Sequence, residues 1–261
     1  MQRNIIDAHI HFDHYKENEQ QMIVQSMDRW NIKGLITVSQ DLPSAEKNLL
    51  LAKTYSGIYP AFGYHPEQSL PDETELAAFF DWIAEHEKEM VAIGEVGLPY
   101  YMRRDNKQIK LEKYIELLEQ FILLAKRYDK PIILHAVYED TSIVCDLLEK
   151  HSVRKAHFHW FKGDEKTVER MLENGYYISF TPDIVYEKEI QALAARYPLE
   201  QIMVETDGPW PFAGLFEGKL TEPKMIHESL KMIALIKKME LQQVYHEIYE
   251  NTLTFFKLKL K

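Results

Sequence analysis

The stretch Ile5-Ile6-Asp7-Ala8-His9-Ile10-His11 decides how the rest of the chain is read. Its apolar start predicts a strand from Ile5 to His9, with two imidazoles at the carboxyl end. His9 and His11 are separated by one residue, so an extended backbone points both to one face, and Asp7 shares it. Two imidazoles at one strand end can hold a divalent metal, and Asp7 could orient one of them.

The same arrangement recurs along the chain. His65 in Gly63-Tyr64-His65-Pro66, Glu95 in Gly94-Glu95-Val96-Gly97, His135 after Pro131-Ile132-Ile133-Leu134, His159 in His159-Trp160-Phe161, and Asp207 in Glu205-Thr206-Asp207 each follow a short apolar run. Helical spacing fills the intervals. Eight strands are predicted, starting near Ile5, Gly34, Ile58, Met90, Ile132, Ala156, Tyr177 and Ile202, each followed by a helix. Ser44 is the expected N-cap of the second helix. The longest helix is expected from about Gln108 to Tyr128, with Leu111, Tyr114, Ile115, Leu118, Ile122 and Ala125 on its apolar face. Asp183 to Arg196 reads as helical, and Gly175 as a helix stop.

This alternation predicts an α/β TIM (β/α)8 barrel, a single domain over residues 1–261, since no Ser/Gly-rich linker or composition shift divides the chain. In such a barrel the loops after the strands share one mouth, which would gather all of these side chains. The irregular stretch from Gly208 to Gly218 would overhang it.

Composition narrows the function. A formal net charge of −10 argues against a broad basic footprint for duplex nucleic acid. It does not exclude phosphate binding, because bound cations dominate their local field. The basic end Lys257-Leu258-Lys259-Leu260-Lys261 reads as a frayed helix terminus. A single cysteine, Cys145, excludes an internal disulfide and a thiolate-rich zinc cage, and its helical setting predicts a buried thiol. No run is apolar enough to span a membrane, and Met1-Gln2-Arg3-Asn4 has no apolar signal core. The expectation is a reducing, cytoplasmic protein with no membrane partner. Oligomeric state is not legible.

The gathered residue types point to metal-assisted hydrolysis. A carboxylate has two oxygens, so Glu95 can bridge two cations, and Gly94 and Gly97 allow close backbone approach around it. His135 and His159 on neighbouring strands favour a second cation. Asp207 can ligate a metal and take a proton from bound water, and His65 can bind substrate or donate a proton. His157 shares a face with His159 one layer deeper and reads as a packed or supporting histidine. Glu205 either supports a ligand or closes the barrel interior. Trp160 and Trp210, with Phe161 and Phe212, fall in mouth loops and are candidates to line a substrate pocket. Mixed nitrogen and oxygen donors admit zinc, manganese, nickel, iron or magnesium.

In this order the motifs resemble the TatD-like metal-dependent hydrolase family of the amidohydrolase superfamily. The matching segments are Asp7-Ala8-His9-Ile10-His11, Gly63-Tyr64-His65-Pro66, Gly94-Glu95-Val96-Gly97-Leu98, Ile133-Leu134-His135, His159-Trp160-Phe161-Lys162-Gly163, Glu205-Thr206-Asp207-Gly208-Pro209, Thr221-Glu222-Pro223 and the terminal Glu250 to Phe256. The resemblance implies a two-metal centre and phosphodiester hydrolysis, commonly deoxyribonuclease activity on DNA or nucleotides. It implies that His9, His11, Glu95 and Asp207 hold the first metal, that Glu95, His135 and His159 hold the second, and that His65 faces the substrate. Asp207, Glu95 and His65 would then be the catalytic residues.

Two departures stand out. The family usually has an acid after Gly-Leu in the fourth-strand motif, where this chain has Pro99. It usually has Ser-Arg after the fifth-strand histidine, where this chain reads Ala136-Val137. An Arg there would suit a phosphate oxygen. Arg103 and Arg104, on the loop after the fourth strand, are the candidate replacements, set against the reading of that stretch as a solvated loop. The alternative substrate is a small ester, lactone, amide or phosphoester.

Overall fold

The computed structural model describes residues 3–259. Met1 and Gln2, and Leu260 and Lys261 of the basic end, lie outside the described residues.

Eight parallel strands run in sequence order: β1 (Ile5–Ile10), β2 (Ile32–Thr37), β3 (Ile58–Phe62), β4 (Ala92–Gly97), β5 (Ile132–His135), β6 (Ala156–Phe158), β7 (Tyr177–Phe180) and β8 (Ile202–Val204). The helices α1 (Glu17–Ser26), α2 (Leu42–Thr54), α3 (Glu73–Glu85), α4 (Tyr100–Asp105), α5 (Leu111–Arg127), α6 (Asp140–His151), α7 (Glu165–Asn174), α8 (Lys188–Arg196), α9 (Ile226–Lys237) and α10 (Leu241–Phe255) lie between and after them. The result is the expected TIM-type barrel. Strands at this register are covered on both faces, which is why they read as apolar runs.

Two apolar layers result. Inside the barrel, Ile6, Ala8, Ile36, Val38, Ala61, Ala92, Ile133 and Met203 form one cluster. Phe255, Phe256 and Leu258 close that cluster from the chain end. The expected fraying there is therefore corrected: α10 stops at Phe255, Leu258 is buried, and Lys257 pairs with Asp129 at 2.9 Å. The larger cluster lies between the strands' outer faces and the helices. On α5 the buried stripe is Tyr114, Leu117, Leu118, Phe121, Ile122 and Ala125, rotated toward Leu117 and Phe121 relative to the expected face.

Local sequence sets most helix ends. Asp41, rather than Ser44, caps α2: its carboxylate accepts the Ser44 N–H at 2.9 Å. Asp72 and Glu75 form a reciprocal capping box on α3. Gly175 ends α7 at φ 72°, a conformation glycine adopts without penalty. The predicted helix from Asp183 is instead a 3-10 turn (Pro182–Val185) followed by α8.

Glu95 lies within β4, not after it, because the strand extends to Gly97. Gly97 is required by packing: a Cβ there would overlap the His135 carbonyl. That close approach of β4 and β5 brings the side chains of Glu95 and His135 into contact.

Candidate metal centre

Glu95 sits at the centre of the mouth, fully buried, with a different group of residues at each oxygen. Its Oε2 is 3.2 Å from His9 Nε2 and 3.3 Å from His11 Nε2. Asp207 Oδ1 closes this group at 3.3 Å from His9 Nε2 and 3.4 Å from His11 Nε2. Glu95 Oε1 faces the other way. It is 2.9 Å from His135 Nδ1, 2.7 Å from His159 Nε2 and 3.4 Å from His65 Nε2. All six expected ligand residues and His65 are thus brought together. His159 stands between the groups, its ring stacked on His9 with centroids 3.9 Å apart.

Several of these atoms are buried without a hydrogen-bond partner: His9 Nε2, Glu95 Oε2 and Asp207 Oδ1. They converge within 3.4 Å of one another across the His9 contacts, yet form no aligned hydrogen bond. Buried polar atoms are rarely left unpaired. Convergent imidazole nitrogens and carboxylate oxygens are the donor set for a divalent cation. The residues present therefore fit a metal.

Electrostatics agree. Burial pushes the Glu95 carboxyl up, but the imidazoles of His159, His65 and His9 outweigh it and hold the group well below the usual carboxylate range. Burial likewise opposes ionisation of Asp207, yet the adjacent His11 and His9 rings hold its pKa below normal. Burial lowers His11, but Asp207 and Glu95 raise it to about 10. His159 is raised well above normal against burial, first by Glu95. His135 is also raised, with burial opposed by Glu67 and Glu95. His65 is lowered by burial, only partly offset by Glu95. The carboxylates thus draw positive charge onto His11, His135 and His159, and a bound cation would take that role and release their protons.

Supporting residues divide by element. Asp7 does not orient a ring. Its Oδ1 accepts the Thr206 N–H at 3.0 Å and its Oδ2 the Thr206 hydroxyl at 2.5 Å. Burial pushes the Asp7 carboxyl up to about 7 despite these bonds. Glu205 accepts the Trp160 N–H at 2.8 Å and the Ser179 hydroxyl at 2.5 Å, and lies 3.6 Å from His159 Nδ1. His157 Nε2 is 2.6 Å from Ser179 Oγ, and burial drives its pKa well below normal. It belongs to this packed layer beneath the mouth. Asp207 has a left-handed backbone, φ 50°, uncommon for a non-glycine residue and found at functional sites.

A cavity of about 960 Å³ opens above Glu95. His65, Trp160 and Trp210 line it, together with Tyr101, Met102 and Val137. Trp160 is anchored by its Nε1–H to Asp183 Oδ2 at 2.7 Å, whereas Trp210 is 58% exposed. Phe212 is buried and its ring centroid lies 5.8 Å from that of Trp160, behind the pocket. Arg103 does not line the cavity. It turns away to pair with the buried Asp140 at 2.5 Å. Its neighbour Arg104 and Lys162 supply cationic side chains to the lining instead. Val137 occupies cavity wall near the point where the resembling motif carries Arg.

Two features were missed in the sequence. One is α4, a six-residue helix read as a solvated loop. The other is Glu67, two residues after His65. Its Oε1 accepts the Tyr101 N–H at 2.8 Å and its Oε2 the Met102 N–H at 2.7 Å, while Oε1 lies 3.3 Å from His135 Nε2. Burial raises the Glu67 carboxyl, but His135 and the two N–H groups leave it below normal. No local signal marks a cap supplied from 34 residues away.

A parallel barrel with this buried nitrogen and oxygen cluster at the carboxyl ends of its strands defines a metal-dependent hydrolase. A sequence profile of the TatD related DNase family matches residues 6–257, and the chain belongs to that family. It is 41% identical over 256 residues to an uncharacterized metal-dependent hydrolase of Haemophilus influenzae, covering 97% of this chain and 100% of that one. It is 27% identical over 265 residues to human deoxyribonuclease TATDN3, covering 97% and 94%. Among solved structures, the TatD homologue YjjV of Escherichia coli superposes with a TM-score of 0.87 at 25% identity, covering 98% of each chain. Among the described residues, no helix is long and apolar enough to cross a membrane.

Proposed function

We propose that the mouth holds two divalent cations and hydrolyses phosphodiesters, with DNA or a nucleotide as substrate. The observation that carries this reading is the two-sided placement of Glu95: Oε2 with His9, His11 and Asp207, Oε1 with His135 and His159. Bound cations would lower the pKa of water toward roughly 7 and stabilise charge developing on the phosphoryl oxygens. Asp207 would orient the attacking water and take its proton, since its carboxylate stays ionised among His9 and His11. His65 borders the cavity with Nδ1 accepting the Glu67 N–H at 3.1 Å, which leaves a proton on Nε2 to donate to the substrate or leaving group. Arg104 and Lys162 would attract anionic groups, and Trp160 and Trp210 would pack against the body of the substrate.

A second reading is a small ester, lactone, amide or phosphoester. It is favoured by Val137 in the wall and by Arg103 turned to Asp140, so neither of these positions presents a guanidinium to fork a phosphate. A panel of DNA, phosphodiesters, phosphomonoesters and lactones, each assayed with several divalent ions, separates the two. Phosphodiester turnover lost in His135→Ala and Asp207→Ala supports the first reading; faster turnover of a lactone than of any phosphodiester replaces it with the second.

A further inference from the structure

We infer that Glu67 is the positioning residue that sets the ring state of His135, and so fixes the second cation site. This rests on the two-cation reading above. A ligating imidazole needs its other ring nitrogen held by an acceptor, which fixes both tautomer and orientation. His135 turns Nδ1 toward Glu95 Oε1 at 2.9 Å and His159 Nε2 at 3.2 Å. Its Nε2 turns toward Glu67 Oε1 at 3.3 Å. With Glu67 accepting at Nε2–H, the Nδ1 proton facing Glu95 is the one a cation would displace, which would leave the Nδ1 lone pair toward the cluster. The same residue acts on His65 through its backbone, whose N–H reaches Nδ1 at 3.1 Å and so directs the proton to Nε2.

The carboxylate is itself held. Both oxygens accept backbone N–H groups from α4, at Tyr101 and Met102. One side chain from the loop after β3 thereby joins β5, through His135, to the first turn after β4. The rings of the first group are not held this way: His9 Nδ1 and His11 Nδ1 are buried without a hydrogen-bond partner, whereas His159 Nδ1 lies 3.6 Å from a Glu205 oxygen. Pro99, where the resembling motif carries an acid, begins α4, and a carboxylate reaches the mouth from Glu67 instead.

The test is metal-free protein titrated calorimetrically with Zn²⁺, together with long-range ¹H–¹⁵N spectra of the His135 ring in the zinc-loaded state. Wild type is expected to take up two ions and to show His135 protonated at Nε2. Glu67→Ala should keep one tight ion, weaken the other by about 10–100-fold, and lose the single tautomer. Glu67→Gln keeps a neutral acceptor and should weaken the second ion by about fivefold, since a charge-assisted bond becomes an ordinary one. It carries the measurement if Glu67→Ala does not fold. A loop clamp alone would lower the melting temperature and leave zinc affinity and the ring spectrum unchanged. That result in the folded variants overturns the inference while the two-cation reading stands. Wild type that binds fewer than two ions overturns both.

Discussion

The Asp7 carboxylate, on β1, grips both the backbone N–H and the hydroxyl of Thr206, just past β8. Strands β1 and β8 are the ends of the sheet order and share no ladder pairing. The seam is closed here by Asp7, by Asp207 N–H donating to the His9 carbonyl at 2.9 Å, and by His11 N–H donating to the Gly208 carbonyl at 2.9 Å. Closing the barrel and placing His9, His11 and Asp207 are thus one structural event. Thr206→Val keeps the volume and removes the hydroxyl from a fully buried acceptor. It should cost about 1–3 kcal/mol, read as a lowered denaturation midpoint at unchanged slope, and it should weaken metal binding as well.

Glu95 serves both halves of the cluster, so its loss cannot be confined to one. Glu95→Gln should lower kcat/KM by about three orders of magnitude, roughly 4 kcal/mol of transition-state stabilisation, with the far-ultraviolet circular dichroism spectrum preserved. Chelation should do the same to wild type, and cation addition should restore it. At a cation concentration of 100 Kd, thermal stability should rise by about 2.7 kcal/mol per independent site. A chelated enzyme at full activity would remove the cations from the reaction.

The two tryptophans should separate stability from substrate affinity. Trp210 is exposed, so Trp210→Ala should change stability by no more than about 0.5 kcal/mol while raising KM. Trp160→Phe deprives the buried Asp183 of the Nε1–H donor and should cost about 1–3 kcal/mol. Urea unfolding and steady-state kinetics on both variants check the pair; equal effects on stability would contradict it.

Cys145 is fully buried on α6, and burial pushes its thiol up to about 12 from an ordinary 9.0. The native protein should not react with a thiol reagent at pH 8 and should react once unfolded. The pH dependence has a definite sign. Between about 9 and about 12 the folded chain keeps a proton that the unfolded chain releases, so this group makes stability fall as pH rises through that window. Cys145→Ala should lack that component, so the difference between the two stability curves should be constant below about pH 9 and change only above it.

Much of the fold was legible because strand and helix periodicities are local. Apolar runs ending in His9, His65, Glu95, His135, His159 and Asp207 marked both the strands and the end at which a site would form. Helix limits moved by a few residues where a neighbouring side chain won the cap, as Asp41 did over Ser44. The stripe on α5 rotated because burial against the strands, rather than spacing alone, selects the inward face.

By itself, then, the sequence determined the order of elements, the barrel and the residue types at its mouth, all carried by short-range pattern. Only the tertiary structure decided which partners they meet. It turned Arg103 to Asp140, gave Asp7 to Thr206 rather than to a ring, and brought Glu67 to α4 and His135. Those contacts join segments 34 to 199 positions apart. Charge and hydrogen-bond geometry choose among them only after the strands have closed, so no window of neighbouring residues contains that information.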